Sequence, residues 1–220
     1  MLRLDITDPW IRWDWLGRHT DVIAQATLQH IQLTAIAVAG GTVLAVPIGL
    51  LAWNWRALRN PVLSVAGVLY TIPSLALFAL LVPFTRLTEL TAEIGLVSYT
   101  ILILVRNIVV GLDGVPDDIR EAATGMGYRP AKRLLTVDIP LALPVMVAGL
   151  RLATVTTIGL VTVTALLGEG GLGQLILTGL IQDFKTPLVV GAIGSVVLAV
   201  AADLLLAAAQ RLATPWRRAQ

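Results

Sequence analysis

Asp117 to Pro144 reads DDIREAATGMGYRPAKRLLTVDIPLALP, the one long, strongly charged segment between apolar runs. Ile119, Ala122, Ala123 and Met126 recur at i, i+3, i+4 and i+7, which is one face of a short helix. Pro116 with Asp117 and Asp118 are start signals, and Gly125 and Gly127 are stop signals. A second short helix is predicted from Pro130 through Lys132 and Arg133, stopping before Pro140. The stretch therefore reads as a charged helical elbow projecting from something apolar.

The rest of the chain supplies the apolar part. Of the 220 residues, 56% are hydrophobic and 14% charged, where a soluble domain carries roughly a quarter charged, and the mean hydropathy is +0.82. Apolar stretches of about 20 residues recur, each long enough to cross about 30 Å of hydrocarbon. They run continuously, whereas barrel strands alternate over about ten residues. The fold class is an all-α membrane protein with about five transmembrane helices, near 27–52, 61–82, 94–112, 141–167 and 187–209. Three parts are expected: an interfacial segment over 1–26, a membrane domain over 27–210 that contains the loop 113–140, and a basic tail over 211–220.

Trp10, Trp13 and Trp15 stand among charges in the first segment and suit the headgroup level; an aromatic cage for a cation is the other reading. His19 and His30 are expected at the interface, and neither belongs to a cluster that would hold a metal. The chain has no cysteine, which excludes disulfides and thiolate sites. In the second span, TIPSLALFALLVP places Pro73 and Pro83 where they interrupt regular hydrogen bonding, and irregular backbone at membrane depth must be packed or line a cavity. Thr71, Pro73 and Ser74 are thus candidates for a translocation path, or mark a structural kink. Tyr70, Phe78 and Tyr99 are the aromatics at membrane depth, too few for a cage, so the path is expected to be poorly selective.

Lys and Arg placement gives the orientation. Ten of the sixteen fall in the 56–59 loop, the 106–133 segment and the tail; five fall on the opposite side, and Arg151 lies within a span. The elbow is then cytoplasmic, the N-terminus outside and the C-terminus inside. The GEGGLG connection, Gly168 to Gly173, matches the letters of a dinucleotide fingerprint but follows a membrane span and lacks the strand that fingerprint needs. It reads better as a flexible turn with close backbone approach, part of an outer gate formed by Gly168, Glu169, Gly170 and Gly171. No GxxxxGK[ST], HExxH or nucleophile-and-base set occurs, so no catalytic residue is assigned and energy must come from a partner or an ion gradient. Arg106, Arg151 and Asp203 are the intramembrane ionisable groups; Arg151 with Asp203 is expected as a structural ion pair, with proton coupling through Asp203 as the alternative.

The elbow carries a more specific signal. Glu121-Ala122-Ala123, three residues, Gly127, nine residues, then Val137-Asp138-Ile139-Pro140 resembles the EAA signature of bacterial ABC importer permeases, EAA-x3-G-x9-I-x-LP, with Val137 and Ile139 as conservative departures. TIPSLALFALLVP, Leu104-Val105-Arg106-Asn107, VDIPLALPVMVAGLR and LLGEGGLG extend the resemblance to the permeases of glycine betaine/carnitine/choline (osmoprotectant) importers. That resemblance implies a MetI-like five-span core in the bacterial inner membrane and a coupling helix seated on a cytoplasmic ATPase subunit. Glu121, Ala122, Ala123, Gly127, Arg129 and Pro140 would form the coupling set, Glu121 by polar contact, the alanines by close approach and Gly127 by the bend. It also implies a second permease, identical or paralogous, a separate external binding protein and a lipid surround, with ATP and Mg held by the partner and no cofactor or nucleic acid on this chain. Glu169 departs from the relatives, which often carry a small apolar residue there, and would attract a cation or simply be solvated. An importer for another small polar solute such as methionine is the rival within the class, and an ion-coupled carrier acting alone is the rival outside it.

Overall fold

A computed structural model describes residues 9–215, and among them every regular element is helical. In order these are α1 (Trp13–Arg18), α2 (Thr20–Asn54), α3 (Arg56–Thr71), α4 (Ser74–Thr85), α5 (Glu89–Asp113), α6 (Asp117–Gly125), α7 (Pro130–Arg133), α8 (Ile139–Val163), α9 (Leu172–Ile181) and α10 (Lys185–Ala213). A π-helical turn, Leu134–Asp138, joins α7 to α8, and a 3-10 turn, Thr164–Leu167, extends α8. Among the described residues, four stretches are long and apolar enough to cross a membrane, and α3 with α4 makes a fifth if the bent pair is one span. The chain is thus a multi-pass membrane protein.

α5 is the central helix. It packs along α2 and α8, with α3 and α4 leaning on it. Small residues permit this closeness, as expected where lipid supplies no hydrophobic drive between helices. A Cβ on Gly41 of α2 would stand 2.4 Å from the Thr100 side chain, and one on Gly149 of α8 would stand 2.4 Å from Asn107. Thr100 and Thr157 meet across α5 and α8 at 3.1 Å; Thr100 spends its proton on the Leu96 carbonyl, so Thr157 is the donor. Leu33, Phe78, Leu96 and Val161 fill one end of the bundle, and Leu104, Ile108, Leu112 and Ala142 fill the end nearer the elbow.

Three expectations need correction, at Pro83, His30 and Pro140, while the break expected at Pro73 is present. The second span is broken: α3 and α4 meet at 96°. Pro73 excludes Ile72 from the helical region, so Ile72 is extended (φ −66°, ψ 123°), and Tyr99 donates its hydroxyl to the Ile72 carbonyl left free. Pro83, by contrast, stays inside α4. α2 begins at Thr20 and contains the expected span 27–52; its 35 residues reach about 52 Å, so the helix extends beyond the hydrocarbon. His30 is fully buried, its Nε2–H donating to the Ile158 carbonyl at 3.0 Å, so it is a packing residue between α2 and α8. Helix does not stop before Pro140; it runs from Pro130 into α8. The π turn, in which the Ile139 amide reaches back to Leu134, widens the backbone just where the Pro140 ring would collide with a regular α-helical carbonyl.

Candidate functional site

The elbow is built by strong local signals. Pro116 is extended before α6, and Asp117 and Asp118 lie against the positive end of the helix. At the other end Gly127 has φ 81°; its amide donates to Thr124 and that of Tyr128 to Ala123, the paired bonds of a Schellman motif. Glu121, Ala122, Met126, Gly127 and Arg129 are exposed. Ala123 is turned into the elbow and buried, so of the alanine pair Ala122 is the one presented outward, beside Ile119 and Met126.

Beneath that surface lies a charged clamp that sequence reasoning missed. Asp138, in the π turn, is fully buried. One carboxylate oxygen accepts from Arg120 Nε at 3.0 Å and the other from Arg133 Nε at 3.3 Å. Arg120 also donates to Asp117 at 3.1 Å and to the Leu112 carbonyl at the end of α5, and its guanidinium lies over the Trp53 ring of α2 at 5.5 Å. α6 is thereby tied at one residue to α2, α5 and the root of α8. Asp138 occupies a variable position of the motif, which hid it. An aspartate just before an apolar span, with two arginines in the preceding loop, was the available signal.

Three other groups of expected residues lie outside the elbow. Thr71 and Pro73 are exposed and Ser74 half-exposed at the α3–α4 break. At the opposite end of the bundle from the elbow, Gly168 and Gly171 adopt positive φ, and the connection is clamped rather than loose: Gln29 Nε2 donates to Glu169 at 2.7 Å and accepts from the Gly171 amide at 3.1 Å. Gly170 and Gly171 are buried, and a Cβ on Gly171 would stand 2.7 Å from His30. Within the span, Arg151 donates to both oxygens of Asp203 at 2.8 Å each and to Gln210 at 3.2 Å, while Gln210 donates to the Pro144 carbonyl at 3.0 Å. This network joins α8 to α10 beside Pro144, which cannot donate.

At the N-terminal segment, Trp15 stacks on His19 and meets Phe184 edge-on, and Lys185 lies 5.6 Å over Trp10. Trp13 is exposed. Trp10 and Trp15 dock the segment on the start of α10, and the three tryptophans do not converge into a cage. The tail residues Arg217 and Arg218 lie outside the described residues.

The described residues thus form a membrane bundle with one broken span and a charged elbow at one end. The chain belongs to the family described as binding-protein-dependent transport system inner membrane component, whose model matches residues 41–214. It is 39% identical over 198 residues to the osmoprotectant import permease protein OsmW of Salmonella typhimurium, covering 88% of this chain and 92% of that one. It is 34% identical to the choline transport system permease protein OpuBB of Bacillus subtilis, covering 86% and 87%. Among solved structures, an inward-facing methionine ABC transporter, MetNI, matches at TM-score 0.81 and 23% identity, covering 90% of this chain and 98% of that one; this likeness bears on the fold.

Proposed function

We propose that this chain is the membrane-spanning permease subunit of an ATP-driven importer of osmoprotectants, carrying quaternary amines such as glycine betaine, choline or carnitine inward. The observation that carries the cargo is the near full-length similarity to permeases named for osmoprotectant and choline transport. ATP is hydrolysed on a cytoplasmic partner, a binding protein delivers the solute from outside, and a second permease completes the pathway. The N-terminus lies outside and the C-terminus in the cytoplasm, as the distribution of arginines supports.

The elbow gives the mechanism its physical form. Glu121 and Ala122 meet the ATPase, and Arg120 and Asp138 pass its movement to α5 and α8 as a rigid body. The α3–α4 break with Thr71, Pro73 and Ser74 faces the path, and the Gly168–Gly171 turn closes its outer end. Arg151 and Asp203 hold α8 to α10 and carry no protons. The test is uptake of labelled glycine betaine and choline by vesicles containing the assembled importer. ATP-dependent accumulation of at least one is expected; accumulation of neither, with an active ATPase, overturns the reading.

A further inference from the structure

Between α3 and α5, with Leu152 of α8 also lining it, lies an open cavity of about 570 Å³ whose lining includes Arg59, Gly67, Tyr70, Arg106 and Asn107. Arg59 is neutralised by Asp113 at the end of α5. Arg106 is exposed and forms neither a hydrogen bond nor an ion pair among the described residues. It lies seven residues before the last residue of α5, Asp113, about 10 Å inside that end. Arginines within membrane spans are rare and ordinarily face a bundle interior or a water-filled cavity, and Arg106 lines this cavity.

Tyr70 is the aromatic residue of the lining. Phe78 and Tyr99 are buried, and Tyr99 spends its hydroxyl on Ile72. Tyr70 alone of the three is exposed, half of its surface being free, and its ring is set edge-on to Tyr99 at 6.1 Å. α3 and α5 are antiparallel, with Arg59 against Asp113 at one end and Ile72 against Tyr99 at the other. That register sets Tyr70 about one helical turn, ~6 Å, to the outer side of Arg106. Gly67 lies on the same face, and a Cβ there would meet nothing within 4 Å. A glycine inside a helix costs about 1 kcal/mol relative to alanine, and here no packing within the chain requires it.

We infer that this cavity is a transit site for zwitterions, in which Arg106 takes a carboxylate and the Tyr70 ring faces a quaternary ammonium group a few carbon atoms away. A guanidinium fork matches a carboxylate, and an aromatic face attracts a desolvated cation. The path is therefore selective, favouring glycine betaine over choline, which has the ammonium group without the carboxylate. This assignment rests on the proposed function and sharpens its cargo. Gly67 keeps the site wide enough for a trimethylammonium group.

The assembled importer, with its ATPase, binding protein and second permease, is reconstituted in vesicles with wild-type chain, Arg106→Gln or Arg106→Lys. Initial uptake of labelled glycine betaine and of choline is measured, alongside assembly by size-exclusion chromatography. Arg106→Gln is expected to lower glycine betaine uptake about tenfold and choline uptake less than about twofold, with Arg106→Lys, which keeps the charge but loses the planar fork, falling between wild type and Arg106→Gln for betaine. Loss in the lysine variant equal to that in the glutamine variant overturns the inference, as does an equal fall for both solutes. Failure of the variants to assemble assigns Arg106 to a subunit contact and also overturns it. A wild type that imports choline but not betaine refutes the zwitterion site alone, whereas one that imports neither refutes the function itself.

Discussion

Replacing Asp138 with Asn probes the clamp beneath the elbow while keeping the side chain's shape. Asp138 is fully buried and receives two guanidinium bonds, from Arg120 and Arg133. Asparagine keeps one accepting oxygen and turns an amide donor toward the other arginine. Removing one partner from a buried ion pair costs about 3–5 kcal/mol. The lower end applies here, because the Arg120 and Arg133 side chains are 16% and 27% exposed and can turn to water. The nine-residue α6 has few other ties to the bundle, so the cost falls on local opening of the elbow. At 1.36 kcal/mol per factor of ten, about 3 kcal/mol raises the open population on the order of 100-fold. Hydrogen exchange of the Ala122–Tyr128 amides should accelerate by that factor, with Leu96–Ile108 of α5 unchanged. Exchange in α6 within about threefold of wild type, or acceleration spread evenly over the bundle, would refute the clamp as the elbow's anchor.

Other expectations follow from separate features. Gly127→Ala forces a side chain into φ 81° and should destabilise the end of α6 by about 1–2 kcal/mol, with Gly127→Asn milder; exchange at Tyr128 reads this, and equal rates in all three contradict it. Asp203→Asn should lower the apparent unfolding temperature in detergent by weakening the tie between α8 and α10, and should leave the pH dependence of uptake unchanged; normal stability with altered pH dependence favours proton coupling instead. Tyr99→Phe removes the donor that satisfies Ile72 at the break, costing about 1 kcal/mol, and should loosen the hinge, seen as faster exchange at the start of α4. An unchanged rate there separates the bend from Tyr99.

Local chemistry made much of this molecule legible. Pro116, the acidic pair after it and Gly127 bound α6 where the sequence places them, because caps are decided within a few residues. The membrane spans were legible from hydropathy, since twenty apolar residues in a row have few alternatives. Pro73 marked the break, but not its 96° angle, which depends on α4 finding α5 and on Tyr99 reaching Ile72. Asp138 and Arg120 are 18 residues apart, a separation at which no periodicity applies, and their meeting depends on how the elbow folds back. His30 misled for the same reason: its proximity to the N-terminus suggested the interface, whereas the length of α2 carries it into the bundle against Ile158. The roles proposed for Glu121 and Thr71 involve other molecules, which no pattern within one chain encodes.

The central claim, that the elbow is where a partner's ATP hydrolysis reaches the pathway, is tested most directly at Glu121. It is exposed on α6 and supports nothing within the chain's core, so Glu121→Lys should leave the folded permease intact. The decisive measurement is co-purification of the ATPase subunit with wild type and Glu121→Lys, paired with ATP-driven uptake by the same preparations. Loss of both the bound ATPase and uptake, with the permease eluting and unfolding as wild type, is the predicted result. Uptake at the wild-type rate without any bound ATPase would contradict the account.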